Sequence, residues 1–111
     1  MRMFVKVTIP VENGNHAISN GSLHTHLKSI LEELKPEASY FIEEGGKRTA
    51  LLFVDMADPS KIPAIAEPFF LAFNAQVEIR PAMVIEDLMK AGPAMESAVK
   101  KYHRSPELVG R

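Results

Sequence analysis

Apolar and polar residues alternate from Phe4 to Ile9. Val5, Val7 and Ile9 fall on one side and Phe4, Lys6 and Thr8 on the other, the period of two that marks a strand. Pro10 ends it. The stretch Val11–Ser22 contains Asn13, Gly14, Asn15, Asn20 and Gly21 and reads as a loop with room for one helical turn. From Ser22 the period lengthens: Leu23, Leu27, Ile30, Leu31 and Leu34 recur at helical spacing behind a serine suited to capping. Pro36 pushes the residue before it out of helical geometry and so ends this helix, which is predicted over about 22–35.

Two further strands, over 38–44 and 48–55, flank Glu44-Gly45-Gly46-Lys47, a hairpin turn in which glycine reaches positive φ at no steric cost. Asp58-Pro59-Ser60 then reads as a helix start. Ile62, Ile65, Ala66, Phe69 and Phe73 form an apolar stripe, and a helix is predicted over 60–72. Pro63 is accommodated there if Ser60 is the cap, and Pro68 should kink or break the helix. Alternation returns over 75–82, with Val77 and Ile79 inward and Gln76, Glu78 and Arg80 outward. Ile85–Ala91 is a short helical stretch broken at Gly92-Pro93. Met95, Ala98, Val99 and Tyr102 make a second amphipathic segment, and 105–111 reads as a loose tail.

The order β-α-β-β-α-β plus a C-terminal helix is that of an α+β, ferredoxin-like domain over residues 1–104. Two right-handed crossovers give a four-stranded antiparallel sheet with helices on one face. The other face is the informative one. It should carry Phe4, Lys6, Thr8, Gln76, Glu78 and Arg80, with Phe41 and Glu43 added from one hairpin strand and Leu51 and Phe53 from the other. Large apolar groups on an open face are an association liability. Pairing two such faces in a homodimer would bury them, leaving Lys6, Glu43, Glu78 and Arg80 either to match charges or to line a polar lumen.

Composition narrows the class of partner. The chain has 111 residues, enough for one domain with a real core, and a formal net charge of −1. That balance gives no electrostatic reason to expect nucleic acid or an acidic membrane as a partner. There is no cysteine, which removes disulfides and thiolate chemistry. The N-terminus turns polar too soon for a signal peptide, and no apolar run is long enough for a membrane span, so a cytoplasmic protein is expected.

Candidate chemistry is sparse. His24 and His26 lie two residues apart on a predicted helix, which points them to opposite sides, so no metal site is expected. No phosphate-binding glycine pattern or nucleophile elbow is present, and no cofactor is expected. Glu32 and Glu33 read as a solvated helix face. Glu43 and Glu78 are the candidate general bases, each with the alternative role of ion-pair partner to Lys6 or Arg80. Tyr40 and Thr49 should face each other near the hairpin, as a cross-strand pair or a polar handle. A lysine and an arginine beside Phe4, Phe41 and Phe53 suit a small anionic or carboxylated organic molecule, held on the strand face or in the adjoining gap between sheet and helices. The competing expectation is a non-catalytic dimer that serves assembly.

Four segments carry a resemblance: Gly46-Lys47-Arg48, the strand Leu51-Leu52-Phe53-Val54-Asp55, Glu67-Pro68-Phe69-Phe70, and Val77-Glu78-Ile79-Arg80-Pro81. In that order, over about residues 1 to 83, the layout resembles the dimeric α+β barrel proteins, and is most similar to muconolactone isomerase-like and small monooxygenase-like members. The resemblance implies a bacterial homodimer in which two sheets face each other across a two-fold axis. It further implies that small organic ligands bind inside the barrel or between sheet and helices. The chain departs from it after Pro81, where the helical segments are longer than the short tail of isomerase-like members. Chemistry varies widely on this layout and does not transfer with it.

Overall fold

The computed structural model describes residues 1–103. Strand β1 (Arg2–Ile9) leads into helix α1 (Val11–Ser19) and helix α2 (Ser22–Leu34). The hairpin strands β2 (Ala38–Glu44) and β3 (Lys47–Asp55) follow. A 3-10 turn (Pro59–Lys61) then precedes helix α3 (Ile62–Phe73) and strand β4 (Gln76–Pro81). Helices α4 (Ile85–Lys90) and α5 (Gly92–Tyr102) close the described chain. The tail expected over 105–111 lies outside the described residues. None of the described helices is long and apolar enough to cross a membrane.

The strands form one sheet in the order β2-β3-β1-β4, with every neighbouring pair antiparallel. The result is an α+β fold compatible with a ferredoxin-like arrangement. Burial in β1 alternates without exception: Met3, Val5, Val7 and Ile9 are buried and the residues between them are not. The buried side faces the helices. Val5, Val7, Leu52 and Val54 meet Phe69 and Phe73 of α3 and Ile30 of α2 in one core. Each fully buried side chain of this size contributes roughly 1.5–3 kcal/mol. The α2 stripe read from the sequence packs against that core through Leu23, Leu27, Leu31 and Leu34.

Local details differ from expectation in three places. The segment expected to be mostly loop is a nine-residue helix, α1. Its propensity is poor, and tertiary contact compensates: Ala17 and Gly14 are buried, and Arg48 of β3 bonds to Val11 O and to Asn15. Ser22 is the first residue of α2 rather than its cap. Gly21 holds the cap position at φ 79°, and Asn20 Oδ1 accepts the Ser22 N–H at 2.9 Å. In α3, Asp58 rather than Ser60 caps the preceding 3-10 turn, accepting the Ser60 N–H at 2.9 Å, which leaves Pro63 in the first helical turn. The helix then runs unbroken through Pro68. Phe69 and Phe73 are both essentially fully buried on that helix, and their burial outweighs the hydrogen bond the proline cannot make.

Candidate functional site

The two-residue turn Gly45-Gly46, with φ of 60° and 79°, sets the register of the hairpin: Glu44 faces Lys47, Glu43 faces Arg48, Ile42 faces Thr49, Phe41 faces Ala50 and Tyr40 faces Leu51. Side chains on opposed residues share a face. The open sheet face therefore carries Phe4, Lys6 and Thr8 of β1, Gln76, Glu78 and Arg80 of β4, Leu51 and Phe53 of β3, and Tyr40, Ile42 and Glu44 of β2. This corrects the expected parity of β2. Phe41 and Glu43 lie on the opposite, helix-bearing side, and Thr49 is opposed by Ile42 rather than by Tyr40.

On the open face the charges satisfy one another. Lys6 pairs with Glu44 and lies 3.8 Å from Glu78, while Arg80 donates to Glu78 Oε1 at 2.9 Å. The Arg80 guanidinium also sits 5.8 Å from the centre of the Phe4 ring, which packs on Phe53 at 5.5 Å. The Lys6–Glu44 pair spans β3 diagonally above Thr49, which is only 3% exposed although it lies on the open face. The hydrogen bond to Glu44 holds the Lys6 ammonium above its ordinary range. Around this network Tyr40 and Ile42 remain exposed.

Behind the sheet is a cleft of about 580 Å³. One wall is α2, through Leu23, Leu27 and Leu31; the other is the sheet, through Val7, Ile9 and Phe41. It exists because the helix layer stops short of the sheet edge: from Ser39 to Glu44 every residue of β2 is exposed, and Phe41, although on the helix side, is 57% exposed. Two polar pairs border the apolar lining. His24 and Lys28 stand one turn apart on α2, and Glu43 and Arg48 face each other across the hairpin. Glu43 Oε2 accepts the Gly46 N–H at 3.0 Å, tying its carboxylate to the turn. Arg48 donates to Asn15 Oδ1 at 3.0 Å, which uses only part of its five N–H donors.

The structure thus divides the residues singled out in the sequence. Phe4, Phe53, Lys6, Glu78 and Arg80 come together on the open face, whereas Phe41 and Glu43 join the cleft. The two candidate bases, Glu43 and Glu78, are on opposite sides of the sheet and cannot address one substrate within a chain. The histidines do point apart: His24 borders the cleft and His26 packs edge-on against Phe73 at 5.9 Å. Sequence reasoning missed the role of His24, Lys28 and Arg48 in the cleft. The signal was available for the first two, since both lie beside the Leu23-Leu27-Leu31 row. Compared with models of protein families and with curated proteins, the chain matches none.

Proposed function

We propose that this is a homodimeric protein of dimeric α+β barrel layout that binds a small anionic organic molecule, and that the molecule occupies the cleft between α2 and the β2–β3 hairpin. The observation that carries the reading is the cleft itself. Its volume of about 580 Å³ falls within the range of small-molecule sites, and its lining combines leucine and phenylalanine with a few polar groups. Lys28 and Arg48 supply two cations for a carboxylate, with the Arg48 fork suited to a bidentate contact. The leucine row and Phe41 would receive the apolar body. Glu43 is the carboxylate placed to meet that ligand; Glu78 is not.

Dimerisation is read from the open face, where Phe4, Tyr40, Ile42, Leu51 and Phe53 surround charges already paired within the chain. Covering such a surface removes large apolar groups from water, and the internal pairing spares the charges the greater cost of being buried without a partner. The same pairing favours the alternative reading, a non-catalytic assembly protein, for the face itself, because Lys6 and Arg80 are engaged rather than waiting for a ligand.

The test is a thermal-shift screen with aromatic and aliphatic carboxylates such as benzoate, indole-3-acetate and octanoate. A binder raises the melting temperature. Leu27→Trp, which fills the cleft, should abolish the shift, and Arg80→Ala should leave it. If Arg80→Ala abolishes the shift and Leu27→Trp does not, the ligand lies between paired sheets. If no carboxylate shifts the melt, the assembly reading takes its place.

A further inference from the structure

Among the described residues, none of those in helices α4 and α5 is buried. Ile85, Leu88 and Met89 form one apolar stripe, and Met95, Val99 and Tyr102 form another, each at spacings of three and four. All six are exposed, from 41% at Leu88 to 79% at Tyr102. The two helices join end to end through Ala91, whose N–H donates to Asp87 O and whose O accepts the Met95 N–H. At six and 11 residues they are shorter than the roughly 12–15 that an isolated helix needs in water. A stripe of this kind on a short helix exists to be covered.

We infer that the α4–α5 arm of each chain clasps a second copy of the same chain and completes its dimer interface. The inference rests on the dimer proposed above and adds to it a second contact surface. The area of the sheet face is the first argument. Its strands have six to nine residues. At about 3.3 Å per residue and about 4.8 Å between strands, four such strands present roughly 450–500 Å² in plan. Two twisted sheets laid face to face splay at their corners and touch over only part of that. A stable pair buries about 800 Å² on each partner. Side chains give the face more accessible area than its plan, which brings it to about the lower end for a stable pair, roughly 600 Å² on each partner, and two exposed apolar helices would add to it.

Continuity is the second argument. The arm begins where the sheet ends: Pro81 pairs with Met3, and Ala82 N–H donates to Arg2 O at 3.1 Å, so the arm departs from a fixed point on the β1–β4 side of the sheet. A segment leaving the rim of a pairing face is placed to reach the molecule on that face. In a two-fold pair the contact is made twice and closes, leaving neither arm free to recruit a third copy.

The experiment compares the full chain with Met95→Glu/Val99→Glu and with Phe53→Glu by sedimentation equilibrium. It also follows hydrogen exchange of residues 85–102 at low and high protein concentration. Met95 and Val99 touch nothing in the core, so circular dichroism of the double variant should keep the signal of the sheet domain. The wild-type chain should be a dimer, with arm amides protected only at concentrations where it is dimeric. The double variant should weaken the dimer at least tenfold and lose that protection. A double variant that dimerises like the wild type, while Phe53→Glu does not, overturns the clasp and leaves the sheet-face dimer standing. A monomeric wild-type chain overturns both. Arm amides protected equally at every concentration would place the arm on its own chain and overturn the clasp alone.

Discussion

The guanidinium of Arg48 lies so close to Gly14 that a Cβ on that glycine would come within 2.5 Å of Nη1. Gly14 is buried for this reason, in the middle of a helix where glycine is otherwise unfavourable. The arrangement couples α1 to the hairpin and sets where Arg48 borders the cleft. The neighbour in the way is the far end of a flexible side chain, so a single methyl group can be accommodated. Gly14→Ala gains roughly 0.5–1 kcal/mol of helix propensity and gives up a hydrogen bond worth about the same. Its stability in urea should therefore stay within about 1 kcal/mol of the parent. Gly14→Val adds bulk and a β-branch and should cost at least about 2 kcal/mol. A Gly14→Ala loss as large as that of Gly14→Val would mean that Arg48 is held rigidly.

Phe69 and Phe70 are neighbours with opposite fates, one fully buried and the other 43% exposed. Phe69→Ala should cost about 3–5 kcal/mol through lost transfer energy and the cavity left behind. Total stability is of the order of 5–15 kcal/mol, so this variant should lose a large share of it. Phe70→Ala should cost less than about 1 kcal/mol. Urea midpoints for the pair measure the orientation of α3 directly, and equal losses would contradict it.

Strand positions were legible because a period of two needs few residues to declare itself. The faces of β1 and β4 followed from the same period. The face of β2 did not follow from apolar pattern, because Ser39, Tyr40, Phe41, Ile42 and Glu43 contain large apolar groups of both parities. It did follow from the turn: with Gly45 and Gly46 as its two central residues, Glu43 must face Arg48 and Phe41 must face Ala50. The cleft was legible only in part, since the row of leucines on α2 is visible in the chain but the failure of α2 to cover β2 is not. Helix α1 was hidden because its support comes from Arg48, 34 residues away from Gly14 in sequence.

Pro68 sits inside α3, where it denies the Ala64 carbonyl its helical partner. An interior proline costs about 3 kcal/mol, offset by about 1 kcal/mol from stiffening the unfolded chain. Pro68→Ala should therefore raise stability by about 2 kcal/mol and move the urea midpoint upward. A fall in the midpoint would show that the ring's own packing against its surroundings matters more than the missing bond.

Acid should destabilise the fold through Glu37 and Asp58. The hydrogen bond and charge of Arg2 hold the Glu37 carboxyl below its ordinary range, with Arg2 Nη2 3.2 Å from Oε2. Hydrogen bonds from the Ser60 hydroxyl and its backbone N–H do the same for Asp58. In the unfolded chain both groups titrate near pH 4. Between that value and their lower folded values the unfolded chain binds more protons than the folded one, so lowering the pH favours unfolding. The contribution is fully present above about pH 5 and is lost as pH falls through the folded values. Both sites are exposed, and the slope should be shallow. Arg2→Ala should flatten it by removing the Glu37 share, and 1 M salt should screen only the charge part of that share, leaving the hydrogen bonds to Glu37 and Asp58. Melting temperatures of the parent and Arg2→Ala chains between pH 6 and pH 2 measure this, and parallel curves for the two would show that Glu37 takes no part in the acid response.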